Sequence, residues 1–437
     1  MKGTKSIENS AASFILLVFS MVVFLFCNQA FGAIPASERA ALIALYNNTN
    51  GDNWDRNYGW KTPPLAADGF AMPGTEYSWH GIHCNTTGTA VKGISLSRIN
   101  LHGTLPPELG NLSKLEYLDI SAGDVTGSIP PELGKLTKLQ TLRFYLANVT
   151  GSIPPELGNL SNLRYFDFHF PNLTGTIPPE LGNLGKLETF KLDRCKLTGS
   201  IPPELGNLTN LEILEISRCD DLTGSIPPEL SNLTNLKRFE ISECKGLSGG
   251  IPPELGNLAN LQSLYLRDTP ITGRIPPELG NLANLTSLGC SGCGLTGPIP
   301  PELGSLFNLV SIGLHNNALT GPIPGQLGNL TQLRALSLYE NNLGGSIPAS
   351  LGNLSELTSL RLAGNNLSGA IPPELGNFSN LWELDLSSNN LEGGIPPELG
   401  NLSNVFEMYL DDNKLSGPIP AELGNLTEAA VIYLHSN

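Results

Sequence analysis

Positive charge is scarce in this chain. Lysine and arginine number 25 against 40 aspartates and glutamates, for a formal net charge of −15 over 437 residues. Holding a phosphate backbone takes clustered basic side chains, so nucleic acid is excluded as a partner. Charged residues of either sign make up only 15%, beside 40% apolar residues, a balance that rules out general disorder. Long apolar runs are also missing. The one from Phe14 to Phe26 has thirteen residues, whereas a spanning helix needs about 20. No nucleophile elbow, phosphate loop or zinc-protease motif occurs, so no enzyme is expected, and no cofactor or metal.

That short run follows Lys2 and Lys5 and precedes the small residues Ala30-Phe31-Gly32-Ala33. The pattern reads as a secretory signal over residues 1–32, so the mature chain is expected to be exported, secreted or held at the cell surface. Membrane contact is expected only through an uncleaved signal anchor or a segment beyond residue 437.

Glycine (48) and proline (34) are abundant, and a repeat explains both. Ile-Pro-Pro-Glu-Leu or a close variant starts at Leu105, Ile129, Ile153, Ile177, Ile201, Ile226, Ile251, Ile275, Ile299, Ile323, Ile347, Ile371, Ile395 and Ile419. The spacing is 24 except for two steps of 25, into Ile226 and Ile251. Between blocks runs Leu-x-x-Leu-x-Leu, as in Leu381, Leu384 and Leu386. Leu384 and Leu386 alternate with Glu383, Asp385 and Ser387, a period of two that predicts one short strand per unit with its leucines inward. Asn389 ends that strand, where a buried amide can satisfy backbone groups. Pro396-Pro397 cannot donate to a ladder and predicts an irregular crossing of the opposite face. Stacking such units yields a solenoid, here with fifteen parallel strands from Val91 to Leu434 spanning about 65–70 Å.

The unit Leu391-Glu-Gly-Gly-Ile395-Pro396-Pro-Glu-Leu399-Gly400-Asn-Leu402 resembles the plant-type leucine-rich repeat. The resemblance covers residues 91–437 and extends to receptor-kinase ectodomains and polygalacturonase-inhibiting proteins. It implies an α/β solenoid, a horseshoe with its parallel sheet on the concave face, which binds a protein, peptide or glycan and catalyses nothing.

Residues 33–90 have a different composition and read as an N-terminal cap. Ser37 is placed to N-cap a helix through Arg39, Leu42, Leu45 and Tyr46. Trp54, Trp60 and the block Trp79-His80-Gly81-Ile82-His83-Cys84 follow. The resemblance implies a disulfide in this block, but Tyr77 stands where its first cysteine would be. Covering the end of the core is the expected task of these tryptophans, and a ligand site among them is the alternative. At the other end a C-terminal cap is missing from residues 91–437, which suggests either a longer chain or a partner covering the end.

Cys195, Cys219, Cys244 and Cys293 occupy the position that later units fill with Asn317, Asn341, Asn365, Asn389 and Asn413. Neighbours in that column are about 4.8 Å apart with parallel side chains, longer than the ~3.8 Å Cβ separation of a disulfide, so buried thiols are expected. His80, His83 and Cys84 have no second cluster to complete a tetrahedral metal site. Glycosylation sequons such as Asn111-Leu-Ser113 follow automatically from the unit.

Units differ freely only at exposed strand positions. Tyr117, Arg143, Tyr145, Leu146, Tyr165, His169 and Phe170 on successive strands are expected to form one exposed apolar patch, the candidate ligand site. Lys191, Asp193, Arg194, Glu215, Arg218, Arg238, Glu240, Glu243, Arg267 and Asp268 cancel in charge. Glu383, Asp385, Glu407, Asp411 and Asp412 make an acidic last zone. The turning asparagine is absent up to Cys293, so the irregular N-terminal half is expected to be the recognition half. The sequence thus points to an exported recognition module, with a structural or adhesive surface protein, or an inhibitor of a secreted hydrolase, as alternatives.

Overall fold

The structure, a computed structural model, describes residues 32–437 apart from 122 and 147. The expected signal segment, up to residue 31, and Cys27 lie outside the described residues. Each 24-residue unit forms one coil of a solenoid, and the coils share a continuous core of leucine, isoleucine and phenylalanine. The main sheet has sixteen strands. The first, Ile82–Cys84, pairs antiparallel with Val91–Ser97, and the rest are parallel in sequence order. The antiparallel strand is the one addition to the fifteen expected.

The crossing on the opposite face is regular, contrary to expectation. In each unit the residues after the first proline form a five-residue 3-10 helix, from Pro107–Asn111 to Ala421–Asn425. Proline fits there because the first helical N–H has no intrahelical partner in any case. Gly158 in one such turn is required by close stacking: a Cβ there would lie 2.3 Å from the Glu180 carbonyl oxygen of the next coil.

The two halves are built differently. From Tyr117–Ser121 to Arg238–Ser242 the concave strands are five residues long, whereas from Ser263–Tyr265 onward they are three. Where they shorten, a second, seven-stranded sheet begins beneath them, running from Thr272–Gly273 to Lys414–Leu415. The turning asparagine accompanies that second sheet from Asn317 onward, the sheet's first two strands following Thr269 and Cys293 instead. Asn389 donates through Nδ2 to the carbonyls of Leu362, Leu386 and Ser387, and Leu367 N–H donates to the Asn389 side chain in Leu367's neighbouring coil at 3.1 Å. In the first half the cysteines make part of this pattern: Cys244 Sγ donates to Ile216 O and Ser242 O. A thiol lacks the amide's strong acceptor, and the cysteine coils form only the isolated bridges Gly199–Leu222 and Gly224–Leu247, while the first coils pair His102–Thr104 with Asp124–Thr126 in a two-stranded sheet.

Cys195 and Cys219 are joined in a disulfide, which corrects the expectation of free thiols at both. Their Cα atoms are 4.7 Å apart, inside the 4.4–6.8 Å range that a bridge spans. Tilting the two side chains toward each other closes the gap that strictly parallel Cβ vectors would leave. Cys84, Cys244, Cys290 and Cys293 remain thiols. A non-reducing peptide map should therefore join the peptides of Cys195 and Cys219 and leave those four alkylatable. Cys219→Ala should cost about 3 kcal/mol, the loop-entropy value for a link of this length.

The N-terminal helix is Ala36–Asn48, with Pro35 rather than Ser37 at its N-cap. Tyr46, Trp54, Trp60, Phe70 and Trp79 pack in one cluster, with ring centroids of Trp60 and Trp79 4.6 Å apart. All three tryptophans are buried, so they cover the core end and present no ligand surface.

Candidate concave-face site

Strand register determines which side chains meet. It sets Asp119 beside Arg143, Arg143 beside Asp167, Asp167 beside Lys191 and Lys191 beside Glu215, an alternating charge column along the sheet. The extra length of the N-terminal strands adds a second exposed column, Ser121, Tyr145, His169 and Asp193. Together these columns enclose an open depression of about 750 Å³ lined by Ser97, Arg98, Asp119, Ser121, Arg143, Tyr145, Asp167 and His169.

The lining is a connected polar lattice. Asp119 accepts from Tyr117 Oη at 2.8 Å and from Ser121 Oγ at 2.5 Å. Arg143 bridges Asp119 and Asp167, at 3.6 and 3.3 Å. Tyr145 Oη donates to Asp167 Oδ2 at 2.9 Å, and its ring stacks on His169 with centroids 5.7 Å apart. His169 Nδ1 lies 2.8 Å from Asp193 Oδ2, whose other oxygen is 3.3 Å from Arg218. Burial, reinforced by the hydrogen bond to Asp167, pushes the Tyr145 phenol up to about 12. Burial opposes the charge of Arg143, but Asp167 and Asp119 outweigh it and raise its pKa. An ultraviolet difference titration should place Tyr145 well above an ordinary tyrosine, and Asp167→Asn should move it back toward 10.

Five of the seven expected site residues reach the concave surface: Tyr117, Arg143, Tyr145, Tyr165 and His169. Only Arg143, Tyr145 and His169 line the depression. Leu146 and Phe170 do not belong to the surface. Both are buried, because the inward series Leu142, Phe144, Leu146 and Phe166, Phe168, Phe170 continues one step beyond the strand. The Phe170 ring packs edge-on against Phe168 at 5.0 Å inside the core. The expected apolar patch is accordingly a polar site with one aromatic stack. Sequence reasoning missed Asp119 and Asp167 as its organising acids, and Arg98, Ser97 and Ser121 as lining. Cross-strand charge alternation at a 24-residue offset was the signal for the acids.

In the last zone, carboxylates outnumber cations. Arg361 pairs with Glu383 at 3.1 Å, and Asp411, Asp412 and His435 come together on the exposed rim.

Two family comparisons match the chain. "Leucine-rich repeat region" covers residues 230–368, and "Leucine Rich Repeat" covers 162–184, 186–208, 380–402 and 404–426, together more than half of the sequence. Among solved structures, a TDR receptor is similar with a TM-score of 0.65 and 32% identity over 78% of this chain and 63% of that one. This chain thus spans less than two thirds of that receptor structure. A leucine-rich-repeat protein of Leptospira interrogans is similar with a TM-score of 0.56 and 29% identity, covering 77% and 88% of the two chains. An internalin from Listeria monocytogenes, at 21% identity and a TM-score of 0.57 over 79% and 90%, shares the fold. No curated protein matches significantly. Repeat unit, parallel sheet and family matches agree, and the chain belongs to the leucine-rich-repeat family.

Proposed function

We propose that this chain is a non-catalytic recognition module, exported or displayed at a cell surface, that holds a protein, peptide or glycan on its concave face. In this reading residues 1–32 direct export, 33–90 cap the core and 91–437 form the binding array. The observation that carries it is the depression centred on Arg143 and Tyr145, where side chains from successive strands hold one another in fixed positions. Preorganised polar groups around a concavity suit selective binding, since little ordering remains to be done when the ligand arrives. Similarity to a receptor supports the same reading. The polar groups hold one another in place and leave donors and acceptors for a ligand, and a phenol near 12 is no general base at neutral pH.

The test uses a one-to-one complex isolated from extracellular extract. Arg143→Ala and Tyr145→Ala should each weaken it at least about tenfold, equivalent to about 1.4 kcal/mol, while Glu407→Ala with Asp411→Ala leaves it unchanged. The reverse pattern would move the site to the acidic zone and refute the assignment.

A further inference from the structure

We propose that the depression beside Tyr145 is a carbohydrate subsite that takes an uncharged pyranose ring of an oligosaccharide. This rests on the recognition reading above and narrows its ligand class.

The first observation is an open aromatic face. Register places Ser121, Tyr145 and His169 side by side on adjacent strands. His169 covers one face of the Tyr145 ring, with the two planes 22° apart. On the other side stands Ser121, too short to cover the opposite face, and Tyr145 remains 40% exposed where it lines the depression. An uncovered aromatic face suits the C–H face of a sugar ring, which is apolar and flat.

The second observation is charge. The ionic side chains lining the depression are Arg98 and Arg143 against Asp119 and Asp167, and they cancel. Guanidinium groups disfavour a basic ligand there and carboxylates disfavour an acidic one.

The third is the direction of the hydroxyl hydrogens. A carboxylate only accepts, so Ser121 Oγ and Tyr145 Oη direct their hydrogens into Asp119 and Asp167 and turn lone pairs toward the depression. Arg143 spends Nε and one terminal nitrogen on the aspartates, leaving further N–H groups, and Arg98 adds its own. Fixed acceptors beside fixed donors match sugar hydroxyls, each of which both donates and accepts. The volume of about 750 Å³ is ample for such a ligand.

The experiment titrates the intact protein with cellohexaose, xylohexaose and mannohexaose, and with the hexamer of galacturonate as an acidic control, by calorimetry and saturation-transfer NMR. At least one neutral hexasaccharide should bind saturably at millimolar concentration or below, more tightly than the acidic control. Ser121→Phe, which lays a ring over the open face, and Tyr145→Ala should each weaken that binding at least about tenfold. Asp385→Ala should not change it. Near-UV circular dichroism shows that each variant is folded. Failure of all three neutral sugars, tighter binding of the acidic one, or binding that survives both variants overturns the proposal. If a macromolecular ligand still depends on Arg143 and Tyr145 while every sugar fails, the carbohydrate subsite is wrong and the recognition reading stands. If that dependence is lost as well, both fall.

Discussion

Asn365→Leu should destabilise the solenoid by about 1–3 kcal/mol. Asn365 is buried and uses its whole amide. Nδ2 donates to the carbonyls of Leu338 and Leu362 at 3.0 Å and of Ala363 at 3.1 Å, and Oδ1 accepts from Leu343 N–H at 3.0 Å. Leucine fills similar space but leaves the Leu343 N–H unpartnered away from water, while the three carbonyls keep their other donors, Asn341, Asn389 and the Glu340 N–H. Such a group costs about 1–3 kcal/mol. The loss should be local, because coils in a solenoid contact only their neighbours. Hydrogen exchange should therefore rise first in the coils around residues 338–365, alongside a lower denaturant midpoint. Asn365→Cys should cost less, since a thiol keeps a donor at this position as Cys244 does toward Ser242 O. A loss below about 1 kcal/mol for the leucine variant would show that the asparagine ladder is not what holds this half together.

The second large effect is expected at the cap. Arg39→Ala should cost about 3–5 kcal/mol, the usual consequence of removing one partner of a buried ion pair. The Arg39 side chain is 8% exposed and pairs with Glu76, which is 1% exposed. It also binds Asp68 at 2.7 Å and the Ala71 carbonyl at 2.7 Å, and it lies 5.1 Å from the Trp79 ring. Alanine leaves the Glu76 carboxylate buried without its counter-charge and the Ala71 oxygen without its donor. The hydrogen bond from Arg39 holds the Asp68 carboxyl below its ordinary 3.8. A depressed carboxyl contributes stability that is complete above that ordinary value and is lost as pH falls through the depressed one. Wild-type protein should therefore lose part of its cap stability below pH 3.8, and Arg39→Ala should lack that portion of the acid dependence. Near-UV circular dichroism of the buried tryptophans reports the transition. An unchanged midpoint and an unchanged acid profile would refute the account.

The solenoid was legible because one physical requirement recurs every 24 residues. Alternation at Leu384 and Leu386 predicts a strand, and repetition predicts its parallel neighbours. What was not legible depended on which neighbour each residue meets. The tight 3-10 turn after each proline follows from packing coil on coil, as at Gly158, and no pattern within one unit shows it. Leu146 and Phe170 were misplaced because the inward period was stopped at the strand end. Counting on from Phe144 and Phe168 would have put both inside. The Cys195–Cys219 bridge depended on a small tilt that spacing alone does not specify. In the site, Arg143, Tyr145 and His169 were recognisable by type. Their chemistry was not, since Asp167 turns Tyr145 from an apolar contact into a fixed acceptor. The longer N-terminal strands that add the Ser121–Tyr145–His169 column agree with the irregularity that singled out this half.

Hydrogen-exchange footprinting of the isolated one-to-one complex tests the central claim most directly. The account predicts protection on Tyr117–Ser121, Thr141–Tyr145 and Tyr165–His169. Protection confined to Glu383–Asp385 and Glu407–Tyr409, with those three strands unchanged, would contradict it.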